Sequence, residues 1–272
     1  MDLIAELRRQ SAVDELQSQG WLRHLEWLNE VDSTNSLAKR WYVDHPQATP
    51  ALFVADQQTA GRGRGGNQWW SPSGCLMLTL AIPWDELPGD PSLHPQLALV
   101  TGVALAATAD NLLQSTPHYR TKLKWPNDAY VDGRKLAGIL IEALQARSQT
   151  TGFAIGIGVN THIDWRDAPI QLQEKAVCLS SIAGRAIECE TVLVELIKQI
   201  REHLSAWREH SDQWLSVWRS RCLLTGCVVK VRMGESGEIV GRCEGIDEYG
   251  RLLLRTESQL HFVTAGEILS WV

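Results

Sequence analysis

Gly61-Arg62-Gly63-Arg64-Gly65-Gly66-Asn67-Gln68-Trp69 joins two short apolar runs, residues 51–56 and 75–82. The runs predict buried strands, so the stretch between them is a loop anchored at both ends in a sheet. Glycine lets a backbone adopt positive φ and approach a ligand closely. Arginine grips carboxylate or phosphate through a planar fork of donors. A loop alternating the two is suited to closing over a small anion. It is not the phosphate loop of the P-loop NTPases, because no Gly-Lys-Ser/Thr follows. It is not a dinucleotide fingerprint either, because no helical pattern opens after it. Alone, such a run also fits a disordered or RNA-binding segment.

Outward from the loop, the chain reads as alternating helices and strands. Residues 2–19 predict a helix with Leu3, Leu7 and Leu16 on its apolar face, closed by Gly20. Residues 25–31 predict a strand, and Asp32 or Ser33 caps a helix running to about residue 43. After a proline-rich connection at 84–95, residues 96–113 are apolar nearly all round and predict a buried helix. Residues 121–124 predict a strand, and Asp132-Gly133 predicts a hairpin into a strand over 135–144. Residues 152–159 predict another strand, and 191–220 predict one long helix with a stripe of packing residues. From Gly226 onward, short β-runs alternate with glycine turns, which predicts a small barrel. The expected organisation is a domain at 1–225 and a smaller one at 226–272.

Bulk properties narrow the class. The 272 residues are 44% hydrophobic and 21% charged, as in ordinary globular chains. A net charge of −6 argues against non-specific nucleic-acid binding, which needs a basic footprint. Six cysteines without a C-x-x-C pair are expected to be free thiols in a reducing compartment. The charged first residues are unlike a signal peptide, and no apolar run approaches a membrane span, so a cytoplasmic location and no membrane partner are expected. The histidines show no metal-ligand spacing, and no protein metal site is expected.

Around the loop stand further motifs. Ser33-Thr34-Asn35 and Gln57-Gln58-Thr59 precede it, and Trp69-Trp70-Ser71-Pro72 ends it. Lys124-Trp125-Pro126-Asn127-Asp128, Lys135-Leu136-Ala137-Gly138 and Gly156-Ile157-Gly158-Val159-Asn160 follow. This ordered set resembles the biotin protein ligases, specifically over residues 30–160 and more loosely to the C-terminus. The resemblance implies an α/β (α+β) fold: a mixed β-sheet with flanking helices, of the class II synthetase and biotin–lipoyl ligase kind, plus a C-terminal SH3-like barrel. It implies that biotin is activated with ATP to biotinyl-5'-AMP and passed to a lysine of a biotin carboxyl carrier protein, the acetyl-CoA carboxylase subunit.

That chemistry brings two anions together, which needs positive charge in a site poor in water. The adenylate must then be shielded until the amine arrives. The resemblance assigns Lys135, Arg64 and Asp128 to catalysis: Lys135 bridges carboxylate and α-phosphate, and Asp128 orients or deprotonates the incoming lysine. It assigns Ser33, Thr34 and Gln58 to the biotin head, whose ureido ring has two donors and an acceptor, and counts Asn35 among the ligand-binding residues. Gly61, Arg62, Gly63 and Arg64 contact the carboxylate and phosphate, and Trp69 covers the ligand. Gly138, Gly156 and Gly158 line it with backbone, Asn127 lies near the adenylate, and Asn160 lies near the adenine. ATP implies Mg²⁺ carried by the phosphates.

Two departures from the family pattern stand out. Asn67 replaces a loop arginine, and Trp271 stands where an arginine often contacts nucleotide, which suggests that Trp271 stacks on the adenine instead. Two alternatives stay open: an enzyme of the lipoate ligase or octanoyl transferase type, and a non-catalytic biotin-binding homologue. The roughly 30 residues before Ser33 are too few for a helix-turn-helix domain, so no DNA partner is expected. A homodimer is left open.

Overall fold

The computed structural model describes residues 3–116, 118–147, 149–209, 212–234 and 237–272. Its larger sheet contains β1 (His24–Val31), β2 (Ala51–Gln58), β3 (Cys75–Pro83), β4 (Lys122–Lys124), β5 (Asp128–Val131), β6 (Arg134–Ala146) and β7 (Gln149–Asn160). Their spatial order is β1-β2-β3-β7-β6-β5-β4. β1 and β2 are parallel, and every other pair is antiparallel, so the sheet is mixed.

Successive residues of a strand face opposite sides, and the two sides have different cores. Leu52, Val54, Leu76, Leu78, Leu80, Ile155 and Ile157 turn to the larger core. There they meet α3 (Leu97–Leu112), α6 (Cys189–Arg208) and α7 (Gln213–Arg221). The intervening Ala51, Phe53, Ala81 and Ala154 turn to the opposite side, against Ala38 and Tyr42 of α2 (Thr34–Asp44). Beyond α2, this second face is left open for the site.

Three sequence expectations need correction. The helix expected over 191–220 is two helices, α6 ending at Arg208 and α7 starting at Gln213. In α1 (Leu3–Ser18), Leu3 and Leu7 are exposed, and burial is confined to Ala12 and Leu16. A segment at Pro91–Leu112 is, by length and composition, apolar enough to cross a membrane. Here it is the central helix α3 with its lead-in turn, most of it packed inside the protein.

The chain after β7 carries two short helices, α4 (Ile170–Lys175) and α5 (Leu179–Ala183). The C-terminal part is a five-stranded antiparallel sheet of β8 (Val228–Arg232), β9 (Glu238–Ile246), β10 (Leu252–Arg255), β11 (Leu260–Val263) and β12 (Glu267–Trp271). Its order is β11-β10-β9-β8-β12. It packs onto the larger core through Val229, Val231, Ile246 and Leu252. Trp125 Nε1 donates to the Gly250 carbonyl at 3.0 Å, and Gln96 Nε2 to that of Glu248 at 2.9 Å.

Candidate active site

Strand register builds the floor. Met77 of β3 pairs with Gly158 of β7, Gly158 with Gly138 of β6, Gly138 with Asp128 of β5, and Asp128 with Lys124 of β4. Directly paired residues share a face. One row across five strands thus runs from a glycine floor to a carboxylate and then an ammonium. A side chain at Gly158 would collide with the Trp69 indole, and one at Gly138 would crowd it at 3.2 Å. The two glycines leave free the volume over the sheet that the Trp69 indole occupies. Above the row is a cavity of about 440 Å³.

One end of the cavity is neutral and polar. Ser33 occupies the N-cap position of α2 but makes no side-chain cap bond, leaving its hydroxyl on the cavity wall. The Gln58 side-chain carbonyl accepts from the Thr34 amide at 2.8 Å and from the Thr34 hydroxyl at 3.2 Å. Thr79, in the neighbouring row, places its hydroxyl 2.8 Å from that of Thr34 and 2.6 Å from Asn35 Oδ1. Asn35 Nδ2 donates to Glu142 at 2.8 Å and to the Leu140 carbonyl at 3.2 Å. Asn35 crosses the sheet at Gly156, where any Cβ would overlap its amide. It reaches the cavity wall, yet its amide is spent on clamping α2 to β6.

The other end is charged. Lys135 Nζ lies 2.7 Å from Asp128 Oδ1 and 5.5 Å from the centroid of Trp69. Arg64 is half-buried and donates to Asn127 Oδ1 at 3.4 Å. Burial pulls its guanidinium below the ordinary arginine value, while Asp128 and Glu267 act against that. Asn127 Nδ2 in turn donates to the Ile139 carbonyl at 2.6 Å.

The glycine–arginine loop closes into a small hairpin. Arg62 bridges to Gln68, the Gly63 amide donates to the Asn67 carbonyl at 2.7 Å, and the Trp69 amide donates to the Gly61 carbonyl at 3.0 Å. Gly65 and Gly66 turn the tip at φ 63° and 80°. Asn67 Nδ2 ties back to the Arg64 carbonyl at 3.0 Å, so Asn67 fastens the turn.

Four expectations change with this geometry. Arg62 borders the cavity, but its guanidinium pairs with Glu142 at 2.8 Å. Burial raises the Glu142 carboxyl, but hydrogen bonds from Asn35 and Lys39 and the charge of Arg62 outweigh it and leave it below its ordinary value. Gly61 is outside the cavity, and its missing side chain makes room for the Trp69 carbonyl and Ser71 Oγ at the hairpin base. Asn160 is also outside the cavity: it is buried and donates to the Lys135 carbonyl at 3.3 Å, holding the backbone that presents the lysine. Trp271 does not line the cavity, because Lys124 and Tyr130 cover its ring.

Several wall residues were not anticipated. Arg232, Gly234 and Ile268 come from the C-terminal part, and nothing local in their sequence marks them; Gly266 and Glu267 belong to the Ala265-Gly266-Glu267 segment, which resembles a family segment near the nucleotide but was not read as wall. Lys124 opens the Lys-Trp-Pro-Asn-Asp motif and had a signal, but only Asn127 and Asp128 were read from it.

With the geometry in hand, the comparisons are consistent with one another. The family model for the biotin/lipoate A/B protein ligases matches residues 27–160, and that for the biotin protein ligase C-terminal domain matches 228–271. A biotin protein ligase from Aquifex aeolicus, solved with biotin and ATP, superposes with a TM-score of 0.77 at 32% identity. The match covers 92% of this chain and 98% of that one. The chain belongs to the biotin protein ligase family. The biotin–[acetyl-CoA-carboxylase] ligases of Mycobacterium tuberculosis and Paracoccus denitrificans are 28% and 29% identical to it. These alignments cover 92% and 89% of this chain, and 90% and 98% of the relatives. In this ligase, the two matched regions contain every residue of the cavity wall.

Proposed function

We propose that the protein joins biotin to ATP, forming biotinyl-5'-AMP and pyrophosphate, and then transfers biotin to a lysine of the biotin carboxyl carrier subunit of acetyl-CoA carboxylase. The observation that carries this reading is one cavity with a neutral hydrogen-bonding end at Ser33, Thr34 and Gln58 and a cationic end at Arg64 and Lys135. A ureido ring needs the first, and a carboxylate meeting an α-phosphate needs the second.

The residues divide the work. Lys135 and Arg64 reduce the repulsion between carboxylate and phosphate, in a site where Trp69 and the hairpin exclude water. Asp128 orients Lys135 through their ion pair and is the carboxylate at hand to accept the proton when the carrier amine attacks the acyl carbon and AMP departs. Among the described residues no cluster of three or more metal-ligand side chains occurs. Mg²⁺ would arrive on the triphosphate, with Asp128 and Glu267 the carboxylates on the wall to meet its waters.

A lipoate-type substrate is a poorer fit, since its dithiolane offers the polar end no hydrogen bond. The test is to mix the protein with biotin, ATP, Mg²⁺ and a carrier domain, then weigh the carrier by mass spectrometry. A biotinyl adduct that needs ATP and is not replaced by a lipoyl adduct is the expected result. An unmodified carrier would overturn the proposal.

A further inference from the structure

Lys124 takes no part in the chemistry above, yet its surroundings are built. Its ammonium lies 4.4 Å from the centroid of the Trp271 ring and 5.7 Å from that of Tyr130. The two rings meet edge to face at 6.1 Å, forming an aromatic seat. Trp271 comes from β12, the last strand of the C-terminal sheet, so one part of the chain holds a cation that belongs to the other.

The cations on the wall differ in their partners. Lys135 is paired with Asp128, Arg62 with Glu142, and Arg232 with Glu267 at 3.1 Å. Among the described residues, no carboxylate lies within ion-pair distance of Lys124 or Arg64. Burial pulls the Lys124 ammonium below the ordinary lysine value; Asp128 opposes this, Lys135 adds to it, and Glu267 opposes it. A cation taken from water without a counter-ion is unfavourable. An aromatic face offsets a fraction of that, and an anion binding there offsets more. Lys124 lines the cavity, one strand beyond Asp128 in the row from Gly158.

We propose that Lys124 binds the pyrophosphate that departs when the carboxylate attacks the α-phosphate, and that Trp271 is the residue that positions it. The inference rests on the ligase reading above. In that step a carboxylate oxygen bonds to the α-phosphorus, and the bond from that phosphorus to the bridging oxygen breaks. The electron pair stays on that oxygen and leaves with the pyrophosphate. Negative charge on the leaving group grows through the step, so a fixed ammonium there favours the transition state over the ground state.

The experiment uses the full chain in biotin-dependent exchange of radiolabelled pyrophosphate into ATP. Lys124→Met should raise KM for pyrophosphate about tenfold and lower exchange turnover by on the order of 10²-fold, with biotin affinity by calorimetry unchanged within about twofold. Trp271→Leu should reproduce a weaker form of the same pattern, and Trp271→Phe, which keeps a π face, should restore most of it. The Lys124→Met, Trp271→Leu double variant should be no worse than Lys124→Met, because Trp271 acts through the lysine. A merely structural Trp271 would instead give effects that multiply, and that result overturns the positioning role. Unchanged KM for pyrophosphate in Lys124→Met overturns the binding role, even if the Trp271 variants fold poorly. Absence of exchange in the unaltered protein would defeat the ligase reading and this inference together; exchange in the unaltered protein with Lys124→Met unaffected defeats this inference alone.

Discussion

At the scale of single residues, the site depends as much on missing atoms as on charges. Gly158 has no side chain because the Trp69 indole occupies that volume. Gly158→Ala should therefore push Trp69 off the floor, at a cost of about 1–3 kcal/mol of overpacking, and slow adenylate formation. Melting temperature and adenylate yield measured on one preparation check this, and a variant equal to the wild type in both would mean that Trp69 moves freely. Lys135 lies at the charged end, paired with Asp128. Lys135→Ala should lower adenylation by on the order of 10²–10³. Near-normal pyrophosphate release in that variant would remove the lysine from the chemistry.

At the scale of elements, the hairpin is held to the rest of the protein through Glu142. That carboxylate of β6 accepts from Arg62 of the loop and from Asn35 and Lys39 of α2. Glu142→Gln should loosen the loop and speed tryptic cleavage after Arg62 and Arg64, with biotin and ATP together restoring protection. Cleavage rates indifferent to both the substitution and the ligands would argue against a tethered, ligand-ordered loop. The same group links stability to acidity. Its folded carboxyl lies below the ordinary value of 4.5, so its contribution is fully present above that pH and is lost as pH falls through the folded value. Urea titrations at pH 7 and in acid should show the wild type losing stability on acidification more steeply than Glu142→Gln. Parallel curves would show that the cluster carries no such linkage.

At the scale of the whole molecule, the two sheets share one buried core. Val229, Val231, Ile246 and Leu252 belong to the same buried core as α3, α6 and α7, and Arg219 Nε donates to the Ile246 carbonyl at 2.9 Å. Removing residues 226–272 would expose that apolar surface to water. The truncated chain should lose its cooperative melting transition, whereas the full chain should melt in one step. A truncated protein that melts sharply near the wild-type temperature would show the sheets to be independent. The role of the C-terminal sheet in the chemistry is better probed by point changes such as those at Trp271.

Much was legible in the order of the motifs. Local chemistry specifies a loop of glycine and arginine between two strands, a hairpin at Asp132-Gly133, and an apolar helix at 96–113, because turn type, backbone freedom and periodicity are properties of neighbouring residues. The strict alternation of glycine with isoleucine and valine from Gly156 to Val159 also carries, in the sequence itself, a strand with one bare face and one buried face. What the sequence could not determine is which charges meet. Arg62 pairs with Glu142 across 80 positions, and Trp271 seats Lys124 from the far end of the chain. Such partners are chosen by strand register and by the packing of one sheet on another, which depend on contacts between residues distant in sequence. The sequence by itself determined the family and about half of the wall; the tertiary structure alone decided that Asn160, Gly61 and Trp271 lie outside the cavity and that Arg232 and Ile268 stand within it, because those positions follow from the packing of one sheet on another.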